Sequence, residues 1–501
     1  VPHIFARNTH DAILAQGYVT ARHRLWQMDI SIRDIGGRLS EILGPNLLER
    51  DKSRRRQGML VAARREVEAW EQSEEIMAYM RAYADGINAY IDQLAPKDYP
   101  LEYKLLGYAP EKWTPLKSAL FHKNMANTLC RKEKDVAYTN ALLQFGRDTF
   151  DLLYPEINPQ QSPIIPTFTP LPKDTISSPD PLPEGIGFLP PLPFEEQPEG
   201  VGSNNWAVAG SKTRSGYPIL CNDPHLNLTL PAIWYEIQLH TPEINAYGAS
   251  LPGLPGIIIG FNQDVAWGVT NVGQDVTDFY TIKWVDEEKT KYEVDGETLE
   301  AEVVEEKIFV KGEEEPLILP VKYTAWGPVV SEEAGDPYRG LAMRWIAHDP
   351  PPEDELHTFL KLNSAKGYTD YLDALSHYTV PPQNFVFASR EGDIALRVNG
   401  KFPIRGPRQA RFVQPGNTRD IAWEGYIPYE DMPMMHNPER GFVGSANQRS
   451  TGPGYPYYYF GFFDDYRGRY LNRRLEEMNN ITVDDMMALQ QDNYTILAED
   501  A

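Results

Sequence analysis

The first 155 residues of the chain show the spacing of apolar residues that is typical of helices. Apolar side chains recur at intervals of about 3.6 residues near the start, which places them on one face of a helix. They are Ala12, Leu14, Ala15, Tyr18 and Ala21. The stretch from Met59 to Leu94 also contains few helix-breaking residues. We therefore predict that residues 1–155 are mostly helical.

This periodicity stops at about residue 156. Between residues 156 and 202 proline is frequent, as in Pro179-Asp180-Pro181-Leu182-Pro183, and no hydrophobic period is present. Proline fixes φ and lacks a backbone N–H, so proline-rich stretches are typical of extended linkers. We expect residues 156–202 to form a linker or spacer outside the hydrophobic core.

Short apolar runs separated by Gly, Pro and Asn turns follow Ser203, and they predict strands. The candidate strands are Asn205–Ala209, Tyr217–Cys221, Ile233–His240, Val265–Thr270 and Phe279–Trp284. Residues 286–325 alternate Val and Ile with Glu and Lys, which favours an exposed β insertion, and residues 466–491 return to helical spacing. The order of these regions predicts an α+β fold: helical residues 1–155, the linker, and a sheet-rich region 203–501.

Composition excludes several classes of protein. A chain of 501 residues that is 42% hydrophobic and 24% charged can bury a large core in two or three domain-sized units. Its 48 basic and 71 acidic residues give a net charge of −23, which disfavours a nucleic-acid or anionic-membrane partner. No apolar run approaches the roughly 20 residues of a membrane span. We therefore expect neither nucleic acid nor membrane as a partner.

The ends of the chain and its two cysteines place few constraints on the fold or the function. The chain starts at Val1 without a methionine and stops at Ala501 just after a helical pattern, so we expect it to be truncated at both ends. Two cysteines, Cys130 and Cys221, exclude a disulfide framework and a cysteine zinc site but leave one bridge open.

Local signatures of several common enzymes are missing from the sequence. We find no G-x-S-x-G elbow, no H-E-x-x-H, no P-loop and no dinucleotide-binding glycine motif. The usual serine α/β-hydrolases, zinc proteases and nucleotide enzymes therefore lack support.

Ser203 is the strongest candidate for chemistry because it stands between the linker and the first predicted strand. If the Gly202–Ser203 bond were cut, the new α-amino group, with a pKa of about 7.7–8.0, could act as the base for the serine hydroxyl beside it. A single residue would then supply nucleophile and base. The alternative, an ordinary serine at a linker boundary, stays open on this pattern alone.

Two other polar residues could assist Ser203. His225 lies 22 residues further along, where a returning strand could bring it close. Asn447 could donate an N–H to a developing oxyanion. Each also has an ordinary interpretation: a structural histidine beside Pro224 or a turn-forming asparagine. Arg467 is one of four arginines in the last predicted helix, and its spacing alone predicts a solvated face.

Taken together, the motifs of this chain resemble those of the penicillin acylase family, in the same order and over nearly its whole length. They are Val1-Pro2-His3-Ile4, Ala15-Gln16-Gly17-Tyr18-Val19, Arg24-Leu25-Trp26-Gln27-Met28-Asp29, Gly37-Arg38-Leu39-Ser40-Glu41, Gly202-Ser203-Asn204-Asn205-Trp206, Asn222-Asp223-Pro224-His225-Leu226, Trp267-Gly268-Val269-Thr270-Asn271 and Gly444-Ser445-Ala446-Asn447.

This family consists of N-terminal-nucleophile hydrolases with an αββα sandwich, made as one precursor that cuts itself into an α chain, a spacer and a β chain. The resemblance implies that cleavage between Gly202 and Ser203 exposes Ser203 as the nucleophile, and that the α and β chains remain partners. It also favours a periplasmic or secreted protein. No organic cofactor is implied.

The resemblance assigns roles to the supporting residues. Asn447 corresponds to the oxyanion-hole asparagine, and Asn271 or Val272 stands where a backbone N–H provides the second donor. His225 would orient the α-amino group. Arg467 would support Asn447 and the amine.

A calcium site is implied by the penicillin G acylases within the family. Asp135, Asp275 and Asp278 match acidic ligands and Thr277 would offer its carbonyl oxygen, a donor set that suits Ca²⁺. Pro456 departs from the pattern, because it stands where another aspartate is expected. Turn or helix capping by these aspartates is the alternative.

The residues that match the acyl-pocket positions of the family are all apolar: Met125, Leu129, Leu226, Ile259 and Val269. Such a pocket favours an apolar acyl group and disfavours one with a carboxylate. We therefore expect hydrolysis of a linear amide in a small N-acyl compound, such as a penicillin or an N-acyl-homoserine lactone. A non-catalytic, calcium-stabilised binding protein and a conventional Ser-His-Asp hydrolase remain as alternatives.

Overall fold

The protein is described by a computed structural model over residues 1–131, 133–166, 182–190, 201–352, 354–452, 454–464 and 466–501. Its first part is helical, as the spacing predicts. These helices are α1 Thr9–Ile35, α2 Ser40–Leu43, α3 Leu48–Arg56, α4 Met59–Trp70, α5 Glu74–Ile91, α6 Leu101–Leu106, α7 Pro115–Cys130, α8 Asp135–Phe145 and α9 Arg147–Leu153. The stretch from Met59 to Leu94, which has few helix-breaking residues, contains two helices, and the Ser73 hydroxyl accepts from Ile76 N at the start of the second.

Strands dominate from Gly202 onward, with short helices between them. The strands are β1 His3–Phe5, β2 Gly202–Val208, β3 Ile219–His225, β4 Tyr235–His240, β5 Asn245–Ser250, β6 Ile259–Phe261, β7 Val265–Asn271, β8 Thr277–Thr281, β9 Lys291–Val294, β10 Glu297–Glu300, β11 Glu302–Ile308, β12 Leu317–Thr324, β13 Gly327–Pro328, β14 Leu341–Trp345, β15 Gln383–Ser389, β16 Ile394–Asn399, β17 Gln414–Pro415, β18 Met434–His436 and β19 Phe442–Ser445. The later helices are α10 His357–Ser364, α11 Tyr368–Ser376, α12 Arg467–Glu477, α13 Val483–Gln490 and α14 Leu497–Asp500.

Two sheets stack face to face at the centre of the fold. The larger has the strand order β1-β4-β5-β6-β7-β15-β16-β18, and the smaller has the order β19-β2-β3. Strands β2 and β3 pack on β7 and β15, helices α1, α10 and α11 cover the larger sheet, and α12 and α13 cover the smaller one. The result is a helix, sheet, sheet, helix arrangement. One large apolar cluster surrounds the larger sheet, and a separate one lies between the smaller sheet and α12 and α13.

The linker region is more ordered at its start than the proline pattern suggests. Ile164 and Ile165 are 1% and 4% exposed, and their N–H groups donate to the carbonyls of Arg449 and Ser450 at 3.0 Å each. The expectation that residues 156–202 lie outside the core is therefore wrong for Ile164 and Ile165. Their side chains are buried because their backbone pairs with the distant segment at Arg449 and Ser450. Residues 167–181 and 191–200 of the predicted spacer lie outside the described residues.

The predicted insertion 286–325 does consist of strands, but it is exposed on one face rather than throughout. Strand β9 pairs with β10, and β11 pairs with β12, both antiparallel. Val294, Ile308 and Val321 are buried. The alternation of apolar and charged residues reflects this single buried face.

Further expectations are refined by the structure. The last predicted helix is two helices, α12 and α13, because Thr482 and Asp485 form a capping box that starts the second. Cys130 and Cys221 are both buried free thiols, so the bridge that the sequence left open is not formed. No helix within the described ranges combines the length and hydrophobicity of a membrane-spanning segment.

Candidate active site

Ser203 lies inside a strand rather than in front of one. Strand β2 begins at Gly202, and its antiparallel register pairs Gly202 with His225 and Ser203 with Pro224 of β3. Ser203 is 5% exposed. The Gly202–Ser203 peptide bond is therefore the first link of a central strand, and its position is fixed by the sheet.

Two hydrogen-bond donors converge on the hydroxyl of Ser203. The backbone N–H of Asn271, at the end of β7, lies 3.2 Å from Ser203 Oγ, and Asn447 Nδ2 lies 3.1 Å from the same atom. Of the two predicted backbone donors, Asn271 and the buried Val272, it is Asn271 whose N–H contacts Ser203. Such a pair of donors can stabilise negative charge on an oxygen placed between them.

All four hydrogen-bonding positions of the Asn447 side chain are used. Its Oδ1 accepts from Ser203 N at 2.6 Å and from Arg467 Nη2 at 2.8 Å, while Nδ2 also donates to the carbonyl of Asn271 at 2.8 Å. The residue has a left-handed φ of 64°, which asparagine tolerates better than most residues. Because its oxygen faces donors and its nitrogen faces acceptors, the orientation of the amide is fixed.

Arg467, the first residue of α12, donates hydrogen bonds both to the start of β2 and to Asn447. It donates to Ser203 O at 3.2 Å and to Asn204 Oδ1 at 2.6 Å. Asp464 holds it in turn, accepting from Arg467 Nε at 3.1 Å and from its backbone N at 2.7 Å. The guanidinium of Arg467 therefore contacts the Ser203 segment, while 34% of its side chain stays exposed to solvent.

His225 is close to Ser203 in register, but its ring is turned elsewhere. Its Nε2 lies 2.8 Å from Asp223 Oδ2, and the hydrogen bond from this ring lowers the pKa of Asp223. Among the described residues, no hydrogen bond joins His225 to Ser203. Its expected role in orienting a free α-amine stays a prediction, since Ser203 N is still part of a peptide bond here.

Two residues at the site, Asn384 and Asp464, were not predicted from the sequence. Asn384 is fully buried on β15 and its amide contacts Asn271 O at 3.3 Å. A polar residue directly before the apolar run Phe385-Val386-Phe387 was the available signal. For Asp464, the signal was a carboxylate three residues before the first residue of a helix, a position typical of capping groups.

A cleft of about 2390 Å³ opens beside Ser203. Of the predicted pocket residues, Met125, Leu129, Leu226 and Val269 line it. Ile259 does not, and its neighbour Ile258 does. Ile259 is the first residue of β6. Because successive side chains of extended backbone point to opposite faces, Ile259 faces away from the cleft when Ile258 faces it.

The predicted metal ligands are buried together, but they differ in their partners. Asp278 is fully engaged, because Arg405 Nη1 donates to its Oδ1 at 2.9 Å and Trp423 Nε1 donates to its Oδ2 at 2.5 Å. Asp135 Oδ1 and Asp275 Oδ2 are buried and have no hydrogen-bond partner in the part of the chain that the structure describes. Burial and the neighbouring carboxylates raise the pKa of Asp135 well above its usual range.

The carboxylate oxygens Asp135 Oδ1 and Asp275 Oδ2 suit a hard cation such as Ca²⁺. Asp135 and Asp275 each have one carboxylate oxygen free for a ligand bond, and the buried hydroxyl of Thr277 also lacks a partner. Arg405 already compensates the charge of Asp278, so the carboxylates free to bind Ca²⁺ are those of Asp135 and Asp275.

A second group of side chains that could bind a metal consists of Glu66, His122 and Glu355. In the described part of the chain, one ligand atom from each lies within 4.8 Å of the others. This group is already occupied by internal contacts. His122 Nδ1 lies 2.6 Å from Glu66 Oε1, its Nε2 lies 2.9 Å from Val380 O, and Lys123 Nζ lies 2.8 Å from Glu66 Oε2. With both imidazole nitrogens engaged and a lysine beside them, this group is an ion-pair cluster rather than a metal site.

Comparison with known proteins places this geometry in a family. The penicillin amidase family model matches residues 1–501. The chain is 31% identical to the acyl-homoserine lactone acylase QuiP of Pseudomonas aeruginosa over 485 residues, covering 91% of this chain and 54% of that protein. It is 29% identical to the penicillin acylase 2 proenzyme of Pseudomonas sp. SE83 over 499 residues, covering 99% of this chain and 63% of that protein. The chain thus spans between about half and two thirds of these relatives.

A solved structure supports the fold. The thermostable penicillin G acylase from Alcaligenes faecalis superposes with a TM-score of 0.51 at 23% identity, covering 58% of this chain and 52% of that one. This likeness confirms the predicted α+β, N-terminal-nucleophile hydrolase architecture. With the family model matching from the first residue to the last, the chain belongs to the penicillin amidase family.

Proposed function

We propose that this protein hydrolyses a linear amide through an acyl-enzyme on Ser203. The observation that carries the proposal is the convergence of Asn271 N–H and Asn447 Nδ2 on Ser203 Oγ, at 3.2 and 3.1 Å. Loss of one such donor typically lowers the rate by a factor of about 10²–10³. The relatives named above, which are acyl-homoserine lactone and penicillin acylases, support the same reaction class.

The first step is cleavage of the chain by its own serine. Ser203 Oγ attacks the carbonyl carbon of Gly202, the Gly202–Ser203 C–N bond breaks as the nitrogen takes up a proton, and the acyl group passes to Oγ as an ester. Water then hydrolyses the ester and releases the carboxylate of Gly202 and a free α-amine on Ser203.

In the catalytic cycle, that α-amine accepts the Ser203 hydroxyl proton as Oγ attacks the substrate carbonyl. Asn447 Oδ1, which accepts from Ser203 N at 2.6 Å in the uncut chain, is placed to keep this amine oriented. The carbonyl oxygen of the tetrahedral intermediate takes the place between the two donors that Oγ occupies in the uncut chain. The proton then passes to the leaving amine, and water removes the acyl group from Oγ.

The apolar wall of the cleft supports an apolar acyl group. Met125 and Val269 are buried beside the serine, and burial of apolar surface contributes about 25 cal/mol per Å². We therefore propose a small N-acyl compound with an aliphatic or aromatic acyl chain as substrate.

The two alternatives receive less support. A binding protein without catalysis would not need an asparagine and a backbone N–H aimed at one serine hydroxyl. A Ser-His-Asp hydrolase would need Ser203 Oγ–H to donate to a ring nitrogen of His225, whereas Nε2 of His225 lies 2.8 Å from Asp223 Oδ2.

The test is mass spectrometry of the purified protein and of Ser203→Ala, with the exposed Ser211→Ala as control. The unaltered protein and the control should split after Gly202 and release an amine from N-acyl substrates, and Ser203→Ala should stay in one piece and be inactive. An uncut wild type, or cleavage after Gly202 in the Ser203→Ala protein, would contradict the proposal.

We also propose that Ca²⁺ binds Asp135 and Asp275, with Thr277 contributing an oxygen, and that it stabilises the fold. Bound there, the ion would supply positive charge to two buried carboxylates, each of which has one oxygen without a hydrogen-bond partner among the described residues. Adding EDTA should lower the melting temperature, and calcium should restore it, with a rise that follows the logarithm of its concentration above the dissociation constant. Asp275→Asn should abolish this calcium response, whereas the exposed Asp148→Asn should keep it. A melting temperature indifferent to EDTA and calcium would refute the site.

A further inference from the structure

Both oxyanion donors depend on the backbone of one residue, Asn271. The N–H of Asn271 points to Ser203 Oγ, and the carbonyl of the same residue accepts from Asn447 Nδ2 at 2.8 Å. If this segment rotated, the backbone donor and the partner of Asn447 would be lost together.

Asn384 lies directly behind this segment. It faces Thr270 across the antiparallel pair of β15 and β7, and it is fully buried. Its Nδ2 lies 3.3 Å from Asn271 O, 3.2 Å from Thr270 Oγ1 and 3.1 Å from Ser445 Oγ. Ser445 Oγ in turn accepts from the backbone N–H of Asn447 at 3.3 Å. One amide therefore contacts both segments that carry an oxyanion donor.

The main chain of Asn384 reaches the third element of the site. Its carbonyl accepts from Asn205 Nδ2 at 3.0 Å, and Asn205 is two residues after the nucleophile on β2. Strands β2, β7 and the end of β19 thus all meet at this residue.

The amide of Asn384 is not what packing alone would favour. Its Oδ1 is buried and has no hydrogen-bond partner among the described residues. A buried acceptor without a partner costs stability, so an apolar side chain of similar size would suit the core better unless the amide hydrogens are needed.

We propose that Asn384 is a positioning residue. It holds the backbone of Asn271 and the loop that carries Asn447, so that the N–H of Asn271 and Nδ2 of Asn447 converge on the position beside Ser203 where the oxyanion forms. It acts through these residues and does not touch the substrate. The inference rests on the proposed amide hydrolysis at Ser203, because it concerns the geometry of that oxyanion site.

The test compares Asn384→Leu and Asn384→Ser with Asn399→Leu in the full chain. Asn399 is a matched control, since it is also buried on the same sheet and its amide donates to Leu375 O at 2.8 Å, away from Ser203. In Asn384→Leu we expect kcat to fall about 30-fold or more with KM within about threefold, because the donors act on the transition state. Asn384→Ser keeps a hydroxyl donor and should recover part of kcat.

A second measurement separates positioning from a loss of stability. An alkylboronic acid, which binds serine as a tetrahedral adduct, should lose affinity for Asn384→Leu in parallel with kcat, whereas the carboxylate product should bind as before. If Asn384→Leu does not mature, its rate of cleavage after Gly202 serves as the readout and should fall relative to Asn399→Leu.

The outcomes distinguish the two levels of the proposal. If the unaltered protein neither cuts itself nor hydrolyses amides, the proposed function fails. If it does both, and Asn384→Leu matches Asn399→Leu in kcat, cleavage rate and boronate affinity, the positioning role alone is overturned.

Discussion

At the scale of single residues, the site depends on Asn447, whose side-chain amide uses all of its hydrogen-bonding capacity. Asn447 satisfies two donors with its oxygen and two acceptors with its nitrogen, and Arg467 connects it to Ser203 O. Little free volume remains next to Gly202. A Cβ atom at this position would lie 2.7 Å from Arg467 Nη2 and 3.1 Å from Asn447 Oδ1. A side chain at this position would therefore have to displace the Arg467 guanidinium.

Replacing Gly202 by alanine should slow self-cleavage at least tenfold, because the methyl group displaces Arg467 and tilts Asn447 away from Ser203. The measurement is the rate of appearance of the new Ser203 N-terminus by mass spectrometry. Gly367→Ala is the control, since a Cβ there meets nothing within 4 Å. Equal rates in the two variants would show that the contact with Arg467 is not limiting.

At the scale of elements, a buried ionic cluster joins helices α4 and α7, and α7 carries Met125 and Leu129 of the cleft wall. Glu66 on α4 contacts His122 and Lys123 on α7. His122 Nε2 also donates to Val380 O, shortly before β15. Burial opposes the charged form, yet the Glu66 carboxylate raises the pKa of His122 above its ordinary value.

This raised pKa predicts how stability changes with pH. The protonated His122 stabilises the fold fully below the unfolded pKa of about 6.5, and the contribution is lost as the pH rises through the higher folded value. The melting temperature of the wild type should therefore exceed that of His122→Gln most at low pH, with the difference shrinking at higher pH. Thermal unfolding from pH 5 to 9 measures it, with the exposed His10→Gln as control. A difference that grows with pH would show the opposite sign.

At the scale of the whole molecule, the parts before and after Ser203 are interleaved. Strand β1 pairs with β4 of the later part, and Asn271 Nδ2 donates to Leu129 O at the end of α7 at 2.5 Å. Ile164 and Ile165 are bridged to the segment at Arg449. A cut at the Gly202–Ser203 bond would break none of these contacts.

We therefore expect residues 1–202 and the part starting at Ser203 to stay together after cleavage. Size-exclusion chromatography of the cut protein should give one peak containing both pieces, which separate when urea unfolds them. The Ser203→Ala protein, which stays in one piece, should elute at the same volume. Separate elution of the two pieces without denaturant would contradict this expectation.

The sequence predicted the general plan of the fold because that plan depends on local patterns. Helical spacing marked residues 1–155, and turn residues separated the strands after Ser203. Element boundaries were less accurate: the capping box at Thr482 divides the last predicted helical region into two helices. The burial of Ile164 was missed because its strand partner near Arg449 is distant in sequence.

By itself the sequence determined the helical and sheet-rich regions, the family motifs and the identity of Ser203, Asn447 and Arg467 as candidates. Tertiary structure alone decided which backbone N–H meets Ser203, that Ile258 rather than Ile259 lines the cleft, that Arg405 engages Asp278, and that Asn384 lies behind the oxyanion donors. The physical reason is that motifs identify residue types, whereas hydrogen bonds depend on the direction of each group. Strand register and sheet stacking set those directions through contacts between residues far apart in the chain.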